Sequence, residues 1–281
     1  MTTSTSASPS AFASEPAKQE VYDFWEKASC GEALLLEGHS REDYELQSKL
    51  RYELEPYIPG FAGFDTAKNK DVLEIGVGLG ADHQCLAASG ARMNGIDLTP
   101  RAVEHTKRRL ALFGLQSNLQ VMDAERLEFP DATFGRVYSW GVLHHSPNTS
   151  RTIEEVHRVL KPGGDARIMV YHKSSMVGYM LWVRYALLRL RPWTSLSSIY
   201  SRYLESPGTK AYSIAEARRL CSMFKEVKIH IELSHGDLLS SGAGQRHQGA
   251  LLKVARALWP RPLIRTLFKN HGLFMLIEAR K

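Results

Sequence analysis

Asp71-Val72-Leu73-Glu74-Ile75-Gly76-Val77-Gly78-Leu79-Gly80 decides the reading of this chain. A short apolar run carries an acid near its end and opens into three glycines at alternate positions, with helix-compatible residues behind them. A strand that turns sharply into a helix needs glycine where the backbone bends and where a ligand lies against bare peptide. Such a turn sits at the carboxyl edge of a parallel sheet and suits a nucleotide-like cofactor. Alone, Gly-x-Gly-x-Gly is a weak signal. Its meaning comes from the residues set at fixed distances beyond it.

Ala91 to Asp97 reads as a second strand, ending in an acid 17 residues beyond Gly80. Pro100 to Leu112 reads as a helix: Thr99 suits its cap, Pro100 its first turn and Gly114 its close. Leu119 to Asp123 and Phe134 to Ser139 read as the third and fourth strands. A helix over Thr152 to Leu160 stops at Lys161-Pro162-Gly163-Gly164, and Ala166 to Tyr171 is the fifth strand. This alternation predicts right-handed βαβ units in an α/β, doubly wound parallel sheet. Farther on, Ser213 to Phe224 reads as a helix, and Val227 to Leu233 and Leu273 to Ala279 as strands. Upstream, residues 19–60 read as an amphipathic helical cover, and residues 61–281 as one domain with inserted segments at about 173–212 and 234–271.

The 281 residues, 43% of them hydrophobic, suffice for one sizeable α/β domain with additions. A net charge of +6 fits either an anionic partner or plain solubility. Cys30, Cys85 and Cys221 are scattered, without zinc-ligand or disulfide spacing, so no metal is expected. Residues 1–18, rich in Ser, Thr, Ala and Pro, read as a disordered tail without the features of a secretory signal. The most apolar stretch, Met176 to Leu190, is too short to span a bilayer and contains Arg184 and Arg189. A soluble cytoplasmic protein is the expectation.

Four features fall at the ends of successive strands: Glu74 with Gly76, Gly78 and Gly80; Asp97; Asp123-Ala124; and Trp140-Gly141-Val142-Leu143-His144-His145. All are expected to open onto one crevice outside the strand carboxyl ends. There Asp97 can accept both hydroxyls of a ribose, Asp123 can accept from an adenine amino group, and Glu74 sits where a cationic group would lie. A dinucleotide dehydrogenase also uses an acid after its second strand. It prefers Gly-x-Gly-x-x-Gly, and the third glycine here comes one residue early.

The phrases VLEIGVGLG, NGIDLT, DAERLEFPDATFGRVYSWGVLHH and EEVHRVLKPGGDARIMVYHK resemble the class I S-adenosylmethionine-dependent methyltransferases, in particular the ubiquinone/menaquinone-type small-molecule subgroup. The resemblance covers roughly residues 45–172. It implies a Rossmann-like seven-stranded sheet, mostly parallel with the last strand antiparallel, and S-adenosyl-L-methionine as cofactor. It also implies that Gly76, Gly78 and Gly80 line the methionine and ribose side, and that Asp97 holds the ribose. Asp123 and Ala124 would meet the adenine, Leu98 would pack on its ring, and Trp140 or Gly141 would offer backbone beside the methionyl group.

Methyl transfer from a sulfonium is an in-line displacement with a neutral leaving group, so positioning and exclusion of water dominate. A hydroxyl or ammonium acceptor must also lose a proton, and histidine suits that task near neutral pH. By the resemblance His145 is the first candidate for the base and His144 the second. Tyr22, Trp25, Tyr171 and His172 are candidates for shaping the acceptor pocket. The inserted segments interleave Met, Leu, Trp and Tyr with arginines, and residues 238–277 contain no acid. Three partners fit that composition: a small lipophilic or anionic acceptor under a lid, an anionic membrane surface, or RNA phosphates. The expected function is therefore methyl transfer to an oxygen, nitrogen or sulfur atom of a small molecule. The alternatives are a tRNA methyltransferase and a non-catalytic, cofactor-binding or membrane-associated protein.

Overall fold

The computed structural model describes residues 15–240 and 256–281. Seven strands form one sheet: β1 (Asp71–Ile75), β2 (Arg92–Asp97), β3 (Asn118–Val121), β4 (Phe134–Trp140), β5 (Leu160–Tyr171), β6 (Glu226–Glu232) and β7 (Phe274–Arg280). Their spatial order is β3-β2-β1-β4-β5-β7-β6. The first five run parallel, and β7 lies antiparallel between β5 and β6. This is the expected seven-stranded doubly wound sheet. The chain leaves β1 toward β2 on one side and returns to β4 on the other, so a topological switch lies between β1 and β4, where such sheets open a crevice.

The helices are α1 (Pro16–Lys27), α2 (Glu32–Leu35), α3 (Arg41–Leu54), α4 (Ile58–Ala62), α5 (Ala81–Ala88), α6 (Pro100–Leu112), α7 (Thr149–Val159), α8 (Met176–Tyr185), α9 (Leu196–Tyr203), α10 (Ile214–Leu220) and α11 (Arg261–Leu267). Local chemistry sets several of their ends. The Thr99 hydroxyl accepts from the Ala102 N–H at α6, and Ser213 with Glu216 forms a capping box at α10. β5 begins at Leu160, six residues before the strand expected from Ala166, because Lys161 to Gly164 end α7 yet continue along the sheet with a register irregularity opposite Phe134 and Arg136.

One core lies on the face covered by α7 and α10, with Leu73, Ile75, Val137, Val156, Ile168 and Ile277 buried in it. A second, with Val72, Tyr138, Met169, Tyr200 and Phe274, lies under α4 and the α8–α9 insertion. The N-terminal cover is fixed by Arg109, fully buried on α6. Its guanidinium donates to Gln47 Oε1 (2.7 Å) and Tyr44 O (3.0 Å) of α3, to Gln84 Oε1 (2.6 Å) of α5, and to Leu79 O (3.1 Å) in the glycine turn. One side chain thereby ties the cover to the turn it covers.

The tail expectation needs a correction at its boundary. Residues 1–14 lie outside the described residues, but α1 starts at Pro16, with the proline in the first turn, and Lys18 is buried. Residues 241–255 of the second insertion also lie outside the described residues. Among the described residues no helix is long and apolar enough to cross a membrane.

Candidate functional site

A cavity of about 1020 Å³ runs along the carboxyl ends of β1, β2 and β4 and on beneath the inserted helices. Its wall includes Glu74, Gly76, Gly78, Gly80, Asp97, Leu98, Asp123, Ala124, Trp140, Gly141 and His145. Every cofactor-side residue expected from the sequence is therefore on one cavity, and so is His145. His144 is not on its wall.

The three glycines of the first turn do different jobs. All have positive φ: +83° at Gly76, +50° at Gly78 and +75° at Gly80. A Cβ on Gly76 would stand 2.1 Å from Val142 Cγ2, and one on Gly80 would stand 2.8 Å from Thr106 Oγ1. Those two positions are needed for packing. A Cβ on Gly78 would meet nothing within 4 Å, so this residue presents bare backbone to open space. All three glycines line the cavity, and of the three Gly78 alone has room for a Cβ.

Asp97 is held in place by its own turn. Its Oδ1 accepts from the Thr99 N–H (3.0 Å) and hydroxyl (2.9 Å), and its Oδ2 accepts a longer bond from the Gly78 N–H (3.3 Å). Burial raises its pKa, opposed by these donors. Oδ2, with one weak donor, keeps the more open acceptor position. Asp123 is more engaged than expected: Oδ1 accepts from the Glu125 N–H (2.9 Å), and Oδ2 is 2.7 Å from Lys18 Nζ of α1. Lys18 also reaches Glu15 (2.6 Å) and Glu125 (3.1 Å), which holds its ammonium above the ordinary range although burial opposes this.

Glu74 is buried, with Oε2 2.8 Å from His83 Nδ1, and His83 Nε2 is 2.8 Å from the Ser117 hydroxyl. Burial pushes the Glu74 carboxyl up and the His83 imidazole down to about 3, which favours one shared proton over an ion pair. Next to it, Asp82 accepts both arms of Arg51 (3.1 and 2.7 Å) and the hydroxyls of Tyr52 (3.0 Å) and Tyr138 (2.8 Å). Arg51 also approaches Glu55 at 3.4 Å. Arg51, Glu55 and Asp82 all line the cavity, a cationic and acidic set that the sequence did not single out.

Burial pushes the Glu55 carboxyl up to about 7, against the pull of Arg51. A folded value above the unfolded one means that the folded chain holds the proton more tightly. Stability from this group is then greatest below the ordinary carboxyl value of 4.5 and falls as pH rises through about 7. Glu55→Gln is expected to remove up to about 3 kcal/mol of that fall, read from denaturant unfolding at about pH 5 and about pH 8. Identical slopes for the two proteins would show that Glu55 ionises at no cost to the fold.

At the far end of the cavity, His145 Nδ1 is 2.8 Å from the Ser206 hydroxyl and 3.2 Å from that of Thr209. Its Nε2 is 3.4 Å from Glu205 Oε2, which also accepts from the Tyr171 hydroxyl at 2.7 Å. An imidazole held at Nδ1 by two hydroxyls thus has a carboxylate beside its other nitrogen, although Nε2 itself makes no hydrogen bond. Trp25 packs edge-on at 5.2 Å between ring centroids. His144 is fully buried between His145 (4.3 Å) and Tyr171 (4.0 Å), and neither ring nitrogen has a hydrogen-bond partner. Burial, with His145 and Lys210 nearby, keeps it neutral. It packs behind His145, off the cavity wall. Among the described residues His144, His145 and Glu205 also form a group of metal-capable side chains, with ligand atoms within 4.8 Å of one another.

Of the other pocket candidates, Trp25 and Tyr171 line the cavity, and Tyr22 and His172 do not. His172 is buried with Nδ1 3.2 Å from Gly272 O. Met176, Val177, Met180, Leu181 and Val183 of α8 form an apolar wall.

Residues 73–168 match a family model described as a methyltransferase domain. Over this segment the chain resembles a class I methyltransferase domain. S-adenosylmethionine is the cofactor of that class, and the open backbone at Gly78 and the oriented carboxylate of Asp97 fit an adenosyl group. Over 109 residues the chain is 30% identical to a sterol 4-C-methyltransferase of Caenorhabditis elegans, covering 38% of this chain and 32% of the relative. Over 150 residues it is 30% identical to a demethylmenaquinone methyltransferase of Tropheryma whipplei, covering 52% of this chain and 62% of the relative. The chain thus spans less than two thirds of each of these relatives. An S-adenosylmethionine-dependent methyltransferase from Mesorhizobium loti shares the fold, with a TM-score of 0.53 at 16% identity over 80% of this chain and 97% of that one.

Proposed function

We propose that the chain transfers a methyl group from S-adenosyl-L-methionine to an oxygen, nitrogen or sulfur atom of a small lipophilic molecule, in line with its resemblance to the quinone-type methyltransferases. The carrying observation is the layout of one continuous cavity. One end offers Gly78, Asp97, Leu98, Asp123 and Ala124; the other offers His145, Glu205, Tyr171 and the apolar wall of α8. The cofactor supplies an electrophilic methyl. Gly78 and Asp97 would bind the ribose portion, Leu98 and Ala124 would pack on the adenine with Asp123 at its amino edge, and Glu74 with the Trp140–Gly141 backbone would border the methionyl group.

Arg51 adds a cation suited to the methionyl carboxylate. Asp82 and Glu55 hold it well above its ordinary range although burial alone would lower it. At the acceptor end, Ser206 and Thr209 hold His145 by Nδ1, leaving Nε2 and the Glu205 carboxylate to take a proton from the acceptor. The apolar walls exclude water and suit an acceptor of the lipophilic kind named in the relatives. The sterol relative's name specifies carbon, so an activated carbon is the second reading for the accepting atom.

His145→Ala is expected to lower transfer to an oxygen acceptor about 10²- to 10⁴-fold, with affinity for S-adenosylhomocysteine unchanged. The assay follows label from the donor methyl into organic-extractable product, using hydroquinones and aminoalkyl lipids as acceptors. Full activity of the variant would remove His145 from the chemistry. Cofactor binding without transfer to any acceptor would favour the non-catalytic reading.

A further inference from the structure

The mouth of the acceptor end is bordered by Val183, Arg184 and Leu188 from α8 and the turn after it, and by Trp259 before α11. Beyond that mouth, large apolar side chains stand in solvent: Leu188 is 68% exposed, Leu190 82% and Trp193 79%. Leu258, next to Trp259, and Leu267, at the end of α11, are 77% and 70% exposed. The two segments touch. The Tyr179 hydroxyl of α8 is 2.9 Å from His271 Nδ1, and His271 packs on Phe268 at the end of α11.

Cations alternate with these apolar side chains: Arg184, Arg189 and Arg191 on one side, Arg265 and Lys269 on the other. Among the described residues none of the five is ion-paired with a carboxylate, although Arg184 and Arg189 each lie 5.1 Å from the Tyr185 ring. No acid occurs in residues 173–204 or 256–277. The α8–α9 unit has its own small core of Leu181, Ala186 and Ile199, so the exposed side chains are not needed to build it.

We propose that this rim docks on an anionic lipid bilayer and that the acceptor passes from the bilayer directly into the cavity. Charge and shape choose the occupant. A phosphate-bearing bilayer surface satisfies unpaired cations, and the acyl region just beneath it takes Leu and Trp side chains. RNA would satisfy the cations alone and leave the exposed Leu190, Trp193 and Leu267 in water. A second copy of this chain would bring the same excess of positive charge to the contact. The inference rests on the proposed function only for what travels through the mouth; the docking itself stands on the rim.

The test is flotation of the full chain with vesicles of phosphatidylcholine alone and of phosphatidylcholine with about 30% phosphatidylglycerol. Binding to the anionic vesicles only is expected. Leu190→Glu combined with Trp193→Glu should weaken it at least about tenfold, and Arg191→Ala about fivefold. None of these positions lines the cavity, so both variants should keep the wild-type melting temperature and affinity for S-adenosylhomocysteine. That control separates failure of docking from failure of the cofactor reading. No vesicle binding, binding indifferent to Leu190→Glu/Trp193→Glu, or a wild-type dimer that this variant turns to monomer would each overturn the proposal.

Discussion

Replacing Asp97 with alanine is expected to weaken S-adenosylhomocysteine binding by about 2–4 kcal/mol, roughly 30- to 1000-fold, in isothermal calorimetry. The size reflects what is removed. A half-buried carboxylate, oriented by Thr99 and Gly78, would accept charge-assisted bonds from ribose hydroxyls that the variant leaves unpaired. Stability should respond less, because the same change relieves a carboxylate whose burial already raises its pKa. Unchanged affinity would contradict the ribose assignment, whatever the activity of the variant.

The second large effect separates two glycines that look alike in sequence. Gly76→Ala puts a methyl 2.1 Å from Val142 Cγ2 on a backbone with φ +83°. It is expected to cost the fold about 2–4 kcal/mol, from overpacking plus left-handed strain. Gly78→Ala meets no protein atom within 4 Å, so only about 1–2 kcal/mol of backbone strain is expected. Its methyl would occupy the open side of the turn, and cofactor affinity should fall at least about tenfold. Melting temperatures and calorimetry on both variants read the difference. Equal effects on stability, or Gly78→Ala binding at full strength, would contradict the division of labour.

The sheet was legible because its signals are local. The alternation of strands with capped helices is written in short stretches, and α6 runs over Pro100–Leu112 as Thr99, Pro100 and Gly114 imply. That Glu74, Asp97 and Asp123 share one cavity was legible for the same reason: each acid lies at or just past the carboxyl end of a strand, and parallel strands bring those ends together. What escaped was long-range pairing of charges. Lys18 lies 105 residues from Asp123 in a Ser- and Ala-rich stretch, so nothing near it hints at burial. Arg51, Glu55 and Asp82 sit on or beside helices, where charges ordinarily mark the solvated face. Glu205 did carry a signal: it is the lone acid in residues 173–212, with five basic side chains before it. His144 and His145 are indistinguishable as a dipeptide, and only the turn after β4 decides that one faces the cavity while the other packs behind it.

The most direct test of the central claim is a crystal structure of the chain grown with S-adenosylhomocysteine. The predicted result is one bound molecule along the ends of β1, β2 and β4, its ribose against Asp97 and Gly78, its adenine between Leu98 and Ala124, and its sulfur toward His145 and Tyr171. Density for the molecule in another place, or a sulfur turned away from His145 and the α8 wall, would contradict it.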